Sequence, residues 1–552
     1  MARVLGINAV FHDPAAALVV DGAIVAAAEE ERFTRRKHGK RPVPFSTWEL
    51  PERAAAWCLA HAGLEPAGLD AVAYSYDPAL AAPDGGDPTA GGWEALRTLY
   101  ARRAPRFLAT ALPGLDPARV RFVPHHVAHA ASAYLAAPHV AGPGGSAAVL
   151  VLDGRGERVS YLAGHAVGGK LRVHALQSLP HSLGLFYEEA TEHLGFLRSS
   201  DEYKVMALAA YGEPRFLATL RAAVQPDRDG GFTVAPIDWA ALAPRRRPDE
   251  DWRPVHADLA ASVQRRLEEM LLALARWLHT RTGARHLVMA GGVALNCVAN
   301  SRLAAEGPFE SVWVQPAAGD AGTALGAALW VARLFGDRGP GMTTAALGRE
   351  WSDDALAARL RAAALPFERP PDIARAVAEI VAADEVVGWF QGRSEYGPRA
   401  LGHRSLLANP ARAANLERLN AIKGRESFRP VAPVVVAERA AEIFAGPLPS
   451  PYMLFTHEVR PAWRARILAV VHVDGSARVQ TVDRAEAPRL ARLLDHLDTL
   501  TGAPVAINTS FNTAGRPMVD DPRDALECFG AAPIGALALG PWLVRRPGRG
   551  PA

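Results

Sequence analysis

Short apolar runs alternate with longer stretches of helical spacing along the whole chain, and their order is informative. Arg3–Asn8, Ala15–Val20 and Ala23–Glu29 are apolar runs of strand length, with Asp21-Gly22 between the last two. An Asp-Gly pair between two such runs predicts a hairpin closed by a two-residue turn. The same series returns as Ala147–Leu152, Val159–His165 and Leu171–Gln177, with Gly168-Gly169 at the second turn. Each series opens with a strand that runs into a polar loop: Asn8 to Asp13 in the first, Asp153-Gly154-Arg155-Gly156-Glu157 in the second. Such a duplication constrains a fold more than any single propensity does. Helical spacing fills Glu52–Ala62 and Leu259–Thr282. The strands His286–Ala290 and Ser311–Gln315 then run into glycine turns, Gly291-Gly292-Val293-Ala294-Leu295-Asn296 and Gly319-Asp320-Ala321-Gly322-Thr323. Gly336–Gly341 cannot continue a helix and marks a linker. Beyond it, helices over Asp354–Ala364 and Asp372–Ala383 and a strand over Glu385–Phe390 open a region dense in Arg and Asn.

Duplicated strand–loop–hairpin units are the entry elements of the actin/Hsp70/sugar-kinase superfamily, in which a nucleotide lies between two related α/β lobes. The expected fold class is therefore α/β, with a duplicated actin/Hsp70-like domain over residues 1–345, its lobes roughly 1–146 and 147–335, and a second α/β domain over 346–552. Glycine turns between strand and helix let backbone N–H groups approach phosphate or ribose, which singles out Gly291, Gly292 and Gly319. Tight strand-to-helix connection is the plainer explanation of each turn taken alone.

Length and composition narrow the classes. A chain of 552 residues exceeds one core and favours two to four structural units. With 49% hydrophobic and 22% charged residues and a net charge of +3, it offers no basis for a nucleic-acid or membrane partner. No apolar run reaches the length of a membrane span, and the N-terminal text meets His12 and Asp13 before a signal-peptide core forms. Cys58, Cys297 and Cys528 are far apart and form no CxxC pair, which suits buried thiols in a reducing cytosol. Lys37, Lys40, Lys170, Lys204 and Lys423 are the only lysines among 61 basic residues, so a retained lysine hints at a need for a compact ammonium.

Metal chemistry is suggested by Val123-Pro-His-His-Val-Ala-His129. On a helix His125 and His129 share one face and can reach one ion, whereas His126 points about a quarter turn away. A pair of hydrogen-bonded histidines at a helix start is the alternative. Asp153 and Asp320, each next to a glycine, are both expected at the ends of apolar strands, where a superfamily cleft would bring them together. Two imidazoles and two carboxylates suit a borderline ion such as iron(II), manganese or zinc.

These residues resemble the antibiotic and nodulation O-carbamoyltransferases, typified by the tobramycin and cephamycin enzymes. The likeness runs in order through Gly6-Ile-Asn, Phe11-His-Asp13, Ala28-Glu-Glu-Glu-Arg-Phe-Thr-Arg-Arg-Lys-His-Gly39, His125-His-Val-Ala-His129, Glu202-Tyr-Lys-Val-Met206, Gly291-Gly-Val-Ala-Leu-Asn296 and Gly319-Asp-Ala-Gly322. It continues through Gly397-Pro-Arg-Ala-Leu-Gly-His-Arg-Ser405, Lys423-Gly-Arg-Glu-Ser-Phe-Arg-Pro430, Gln480-Thr-Val482 with Arg484, and Asn508-Thr-Ser-Phe-Asn512. The resemblance implies a first domain like the tRNA threonylcarbamoyl transferase and a second that is YrdC-like and forms carbamoyl-adenylate. It implies iron(II) on His125, His129, Asp153 and Asp320. It places Lys37, Lys204, Gly291, Gly292, Asn296 and Gly319 against the carbamoyl-adenylate. Arg404, Lys423, Arg425, Arg429, Arg484, Asn508, Ser510 and Asn512 would then hold ATP and carbamoyl phosphate, with magnesium accompanying the nucleotide.

The chemistry makes matching demands. Two polyanions meet only where positive charge is concentrated, and arginine forks with one lysine supply it. Asn508, Ser510 and Asn512 alternate, so on a strand they line one face. The second domain is expected to release carbamate from carbamoyl phosphate and join it to the α-phosphate of ATP. The first is expected to pass the carbamoyl group to a hydroxyl of a natural product, with His12 as the base and Asp13 orienting it, or Asp13 as the base itself. An actin-like nucleotide-binding regulator would leave the Arg/Asn-rich region without a purpose. A tRNA threonylcarbamoylation enzyme would call for a basic RNA-binding surface. A hydrogenase-maturation carbamoyltransferase would call for the CxxC modules this chain lacks. Neither the acceptor nor the oligomeric state, a homodimer included, is legible in the residues.

Overall fold

The computed structural model describes residues 2–39, 49–81, 92–141 and 144–546. They form two compact units, Met1–Thr343 and Thr344–Ala552.

Two five-stranded sheets of the same design build the first unit. In one the order is Ala23–Glu29, Ala15–Val20, Arg3–Asn8, Ala71–Tyr74, Val120–Phe122; in the other it is Lys170–Ser178, Val159–Val167, Ser146–Leu152, His286–Ala290, Ser311–Val314. In each, the first strand in chain order pairs antiparallel with its hairpin partner and parallel with the strand on its other side. This is the duplicated actin/Hsp70-like arrangement. Both hairpins turn through paired left-handed residues, Asp21 and Gly22 (φ 53° and 80°) and Gly168 and Gly169 (φ 55° and 78°), whose twist matches that of the flanking strands. Bounds differ from expectation mainly at helix starts. The long helix begins at Pro254 rather than Leu259, because proline is well suited to a first helical position and Arg253 and His256 close a capping box before it.

Between the sheets run the helices His125–Tyr134 and Ala321–Leu334, both buried along most of their length. Their approach depends on two glycines. A Cβ on Gly326 would lie 1.8 Å from the Ala128 carbonyl oxygen, and one on Gly6 1.8 Å from that of Ala324. A side chain at Gly326 would push the two helices apart, and one at Gly6 would push the strand Arg3–Asn8 off the helix Ala321–Leu334. This close packing brings the start of each helix to the open ends of the strands Arg3–Asn8 and Ser146–Leu152.

The second unit is built on a seven-stranded mixed sheet with helices on both faces, the α/β class expected of it, and carries a small three-stranded sheet of Phe444–Ala445, His457–Val459 and Ser476–Ala477. The order in the larger sheet is Gln480–Val482, Ala432–Val436, Val505–Ser510, Arg404–Ala408, Val387–Phe390, Ala536–Leu539, Trp542–Arg545. Val387, Trp389, Leu407, Val434 and Ala506 pack against Ile373–Ala382 and Pro488–Thr501 on one side, while Phe390, Leu406, Val435 and Ile507 face Leu419, Ile443 and Phe444 on the other. Cys58, Cys297 and Cys528 are buried free thiols. Among the described residues no helix is long and apolar enough to cross a membrane.

Candidate active site

Four side chains from four separate segments converge in the first unit. His125 opens its helix, His129 follows one turn later, Asp153 stands just past the strand Ser146–Leu152, and Asp320 immediately precedes the helix Ala321–Leu334. One donor atom from each lies within 4.8 Å of all the others. His125 Nε2 is 3.5 Å from Asp153 Oδ2 and from Asp320 Oδ1; His129 Nε2 is 3.8 and 3.5 Å from the same two oxygens. These gaps are too long for hydrogen bonds. They match the spacing of donors around a tetrahedral ion with bonds of about 2.1 Å, roughly 3.4 Å apart. Both imidazole Nε2 atoms and both Asp320 oxygens are buried without a hydrogen-bond partner, an expensive state unless something is held between them. The residues therefore fit a divalent transition ion.

Neighbouring bonds aim the donors. His125 Nδ1 lies 3.1 Å from the Ser75 carbonyl oxygen, which leaves Nε2 as the nitrogen facing the carboxylates. The Glu157 carboxylate accepts from the backbone N–H groups of both His125 and Asp77, tying the helix start to the loop after Tyr74. Asp153 Oδ1 accepts from the Gly292 N–H at 2.8 Å, so only Oδ2 turns to the imidazoles. His126 is buried with its ring 5.7 and 6.2 Å from those of His125 and His129, outside the quartet. Burial, reinforced by the neighbouring imidazoles, first that of His125, drives its pKa down to about 3.

Two buried carboxylates dominate the electrostatics of the cluster. Burial alone would lower the pKa of His125, but the Asp320 and Asp153 carboxylates outweigh it and hold the imidazole well above its ordinary value. Burial likewise opposes ionisation of Asp320, and His12 and His125 pull it down to about 2. This hold favours the protonated imidazole of His125, and an ion bound by the quartet would have to displace that proton. Metal binding at pH 7 should release protons, and affinity should rise with pH until His125 titrates. Calorimetric titrations of metal into apoprotein in two buffers of unlike protonation enthalpy measure this; equal apparent enthalpies would show that no proton leaves.

His12 stands beside the quartet, its Nε2 3.8 Å from Asp320 Oδ2 and its Nδ1 2.9 Å from Asp13 Oδ2. Asn8 sets the loop by donating from Nδ2 to the carbonyls of His12 and Asp13. The phenyl ring of Phe11 packs edge-on against His125, 5.1 Å between centroids. Lys37 is half-buried in the loop after Glu31–Thr34. Lys204 instead pairs with Asp201 at 3.0 Å. Asn296 is spent largely on structure, capping the helix Cys297–Glu306 through Ala299 and bonding Gln264. Gly291 (φ 93°) leaves no room for a side chain, since a Cβ would meet the Leu152 carbonyl oxygen at 2.1 Å; Gly319 is open.

In the second unit the expected residues divide. Lys423 is buried and its Nζ donates to Ser510 Oγ at 2.8 Å, to the Ser510 carbonyl and to Asn512 Oδ1. Asn512 lies past the end of the strand Val505–Ser510, yet its side chain also accepts from Ser510 Oγ. Asn508 donates to the Ala400 carbonyl and to Gln480 Oε1, which joins the Gly397–Ser405 loop to the edge strand. The arginines are not arrayed as open forks. Arg404 is fully buried over the Phe390 ring and donates to the carbonyls of Gln391, Gly392 and Arg349. Arg425 bonds Asn420, and Arg429 faces Glu426 at 3.6 Å. Arg484 is exposed and committed to Asp495 and Glu438. In so Arg-rich a chain, carbonyls and carboxylates claim these guanidinium groups first.

Sequence reading passed over His38, Glu157 and Glu395. The Glu395 carboxylate, buried, accepts from the backbone of Leu401, His403 and Arg404 and so shapes the loop. Each is a polar residue in a loop, His38 and Glu157 half-buried and Glu395 buried, and only its bonds to other segments distinguish it.

Residues 3–80 and 99–329 match the family model described as Carbamoyltransferase N-terminus, and residues 378–546 match Carbamoyltransferase C-terminus. Nodulation protein NolNO of Sinorhizobium fredii is 37% identical over 558 residues, covering 98% of this chain and 80% of that protein. Nodulation protein U of Rhizobium tropici is 32% identical, covering 95% and 93%. An uncharacterized protein of Synechocystis sp. is 36% identical, covering 98% and 96%. A solved structure of full-length HypF in its phosphate- and nucleotide-bound form aligns at 13% identity and a TM-score of 0.35, over 60% of this chain and 56% of that one.

Proposed function

Because this chain belongs to the carbamoyltransferase family, as an enzyme of carbamoyl transfer, we propose that it is an ATP-dependent O-carbamoyltransferase acting through carbamoyl-adenylate on a natural-product hydroxyl. The observation that supports this reading most is the buried quartet of His125, His129, Asp153 and Asp320 with an imidazole, His12, at its edge. A divalent transition ion held there, iron(II) in the reading adopted here, would supply Lewis acidity to phosphate oxygens of a mixed anhydride and improve the leaving group.

The remaining work falls to the chain's own groups. His12 takes the acceptor's hydroxyl proton on Nε2 as the oxygen attacks the carbamoyl carbon. The new C–O bond forms while the bond from that carbon to the phosphate oxygen breaks, and AMP departs. Asp13 accepts from His12 Nδ1 and so presents Nε2 to the reacting hydroxyl. Although burial opposes it, Asp320, Asp13 and Asp153 raise His12 to about 10. A cation held by the quartet would share the charge of Asp153 and Asp320, and would so relax that hold and return the His12 imidazole toward the range of a useful base. In the second unit, Lys423 with Ser510 and Asn512 is the anion-binding group for ATP and carbamoyl phosphate, with Asn508 and Gln480 shaping the adjoining loop. A buried ammonium whose acceptors are neutral suits a phosphate oxygen as a point charge, since such an oxygen would compete with Ser510 and Asn512 for its protons.

Carbamoyl phosphate, ATP, magnesium and iron(II) should together yield AMP and pyrophosphate, and a carbamate ester with one member of a panel of aminoglycoside, cephem, ansamycin, macrolide and lipo-oligosaccharide acceptors. Chromatography with radiolabelled carbamoyl phosphate reads both. AMP formation that does not depend on carbamoyl phosphate would defeat the proposal.

A further inference from the structure

We propose that His38 is a positioning residue of the transfer site, holding the Asp13 carboxylate and through it the ring of His12. This rests on the reading of His12 as proton acceptor. The carboxylate of Asp13 is shared between two imidazoles, Oδ2 at 2.9 Å from His12 Nδ1 and Oδ1 at 2.8 Å from His38 Nδ1. A carboxylate bonded at both oxygens cannot turn, and it fixes which nitrogen of each ring faces it. With Nδ1 of His12 directed at Asp13, Nε2 is left toward Asp320.

The backbone supports the same arrangement. Phe11 and Asp13 in one loop, and Arg35 and His38 in the other, have φ of 68°, 51°, 60° and 60°. Residues with side chains adopt this region rarely and keep it where surrounding bonds hold them there. Those bonds leave the His38 ring free of a folding duty. Asn8 pins the first loop through the His12 and Asp13 carbonyls, and the His38 backbone N–H donates to Glu31 Oε2 at 2.9 Å in the second. What the ring adds is the bond to Asp13.

A cation held by Asp13, Glu31 and His38 is the other use of this cluster, whose donor atoms lie within 4.8 Å of one another. Hydrogen bonding already accounts for it. The Asp13–His38 pair is at ordinary bonding distance, and Glu31 accepts the His38 backbone N–H.

The test compares His38→Ala with His38→Asn, whose Nδ2 can occupy the place of the imidazole Nδ1. Transfer is measured from carbamoyl phosphate and ATP to glycerol in excess, and to any acceptor found by the panel. In His38→Ala, kcat should fall about 10- to 100-fold with the acceptor KM within about twofold of wild type. His38→Asn should recover most of the loss, and carbamoyl-phosphate-dependent ATP–pyrophosphate exchange should be unchanged in both. Crystals of His38→Ala should show the His12 ring in a new orientation. Wild-type kcat in His38→Ala, an Asn variant no better than Ala, or a second metal on Asp13, Glu31 and His38 in metal-soaked wild-type crystals would each overturn the proposal. If wild-type protein transfers to no acceptor, the reading of His12 as base fails. The His12 ring in crystals of His38→Ala then decides the positioning question, and an unmoved ring ends it.

Discussion

Asp320→Ala should lower carbamoyl transfer to a hydroxyl by more than about 100-fold and leave carbamoyl-phosphate-dependent ATP–pyrophosphate exchange at the wild-type rate. Asp320 is the hub of the quartet: Oδ1 faces both ligand imidazoles at 3.5 Å, and Oδ2 faces His12 at 3.8 Å. Its removal leaves three donors, so bound iron measured by plasma emission should fall in parallel with transfer. The variant should fold, because the Asp320 side chain makes no capping bond to the helix that follows it. His125→Ala should behave alike. Transfer at more than a tenth of the wild-type rate in an iron-free Asp320→Ala protein would remove the metal from the reaction.

Lys423→Ala should have the opposite profile, losing exchange by roughly 100- to 1000-fold, the scale on which a single preorganised donor to a developing charge acts. The ammonium of Lys423 is buried between Ser510 and Asn512, where no solvent ion replaces it. Lys423→Arg should not rescue, since a planar fork cannot occupy the place of a compact point charge bonded on several sides. Transfer from chemically supplied carbamoyl-adenylate should persist in both variants. Exchange at the wild-type rate in Lys423→Ala would show that the cluster handles no substrate phosphate.

Much of this was legible in one dimension. The hairpin turns at Asp21-Gly22 and Gly168-Gly169 are local chemistry, readable because only a few residue pairs tolerate two left-handed positions. Their recurrence exposes the duplication, and Asp153 stands just past its strand as expected; Asp320 does not end a strand but immediately precedes the helix Ala321–Leu334, because the strand before it stops at Val314. His125 and His129 pair by helical period alone. The arginines were less readable. A guanidinium has five donors and a long reach, and Arg404, Arg425 and Arg484 are satisfied by neighbours up to 55 residues away whose positions no local pattern reveals.

Sequence by itself determined the order of elements, the repeat, the pairing of His125 with His129 on one helix face and the motifs that mark a carbamoyltransferase, because each is set by residues close together along the chain. Tertiary structure alone decided that His38 reaches back 25 residues to share Asp13 with His12, and that Lys423 meets Ser510 and Asn512 across 87 and 89. Those contacts are made by packing two separate segments against each other. Side-chain spacing is periodic only within an element, and it carries no trace of which loop lies opposite which.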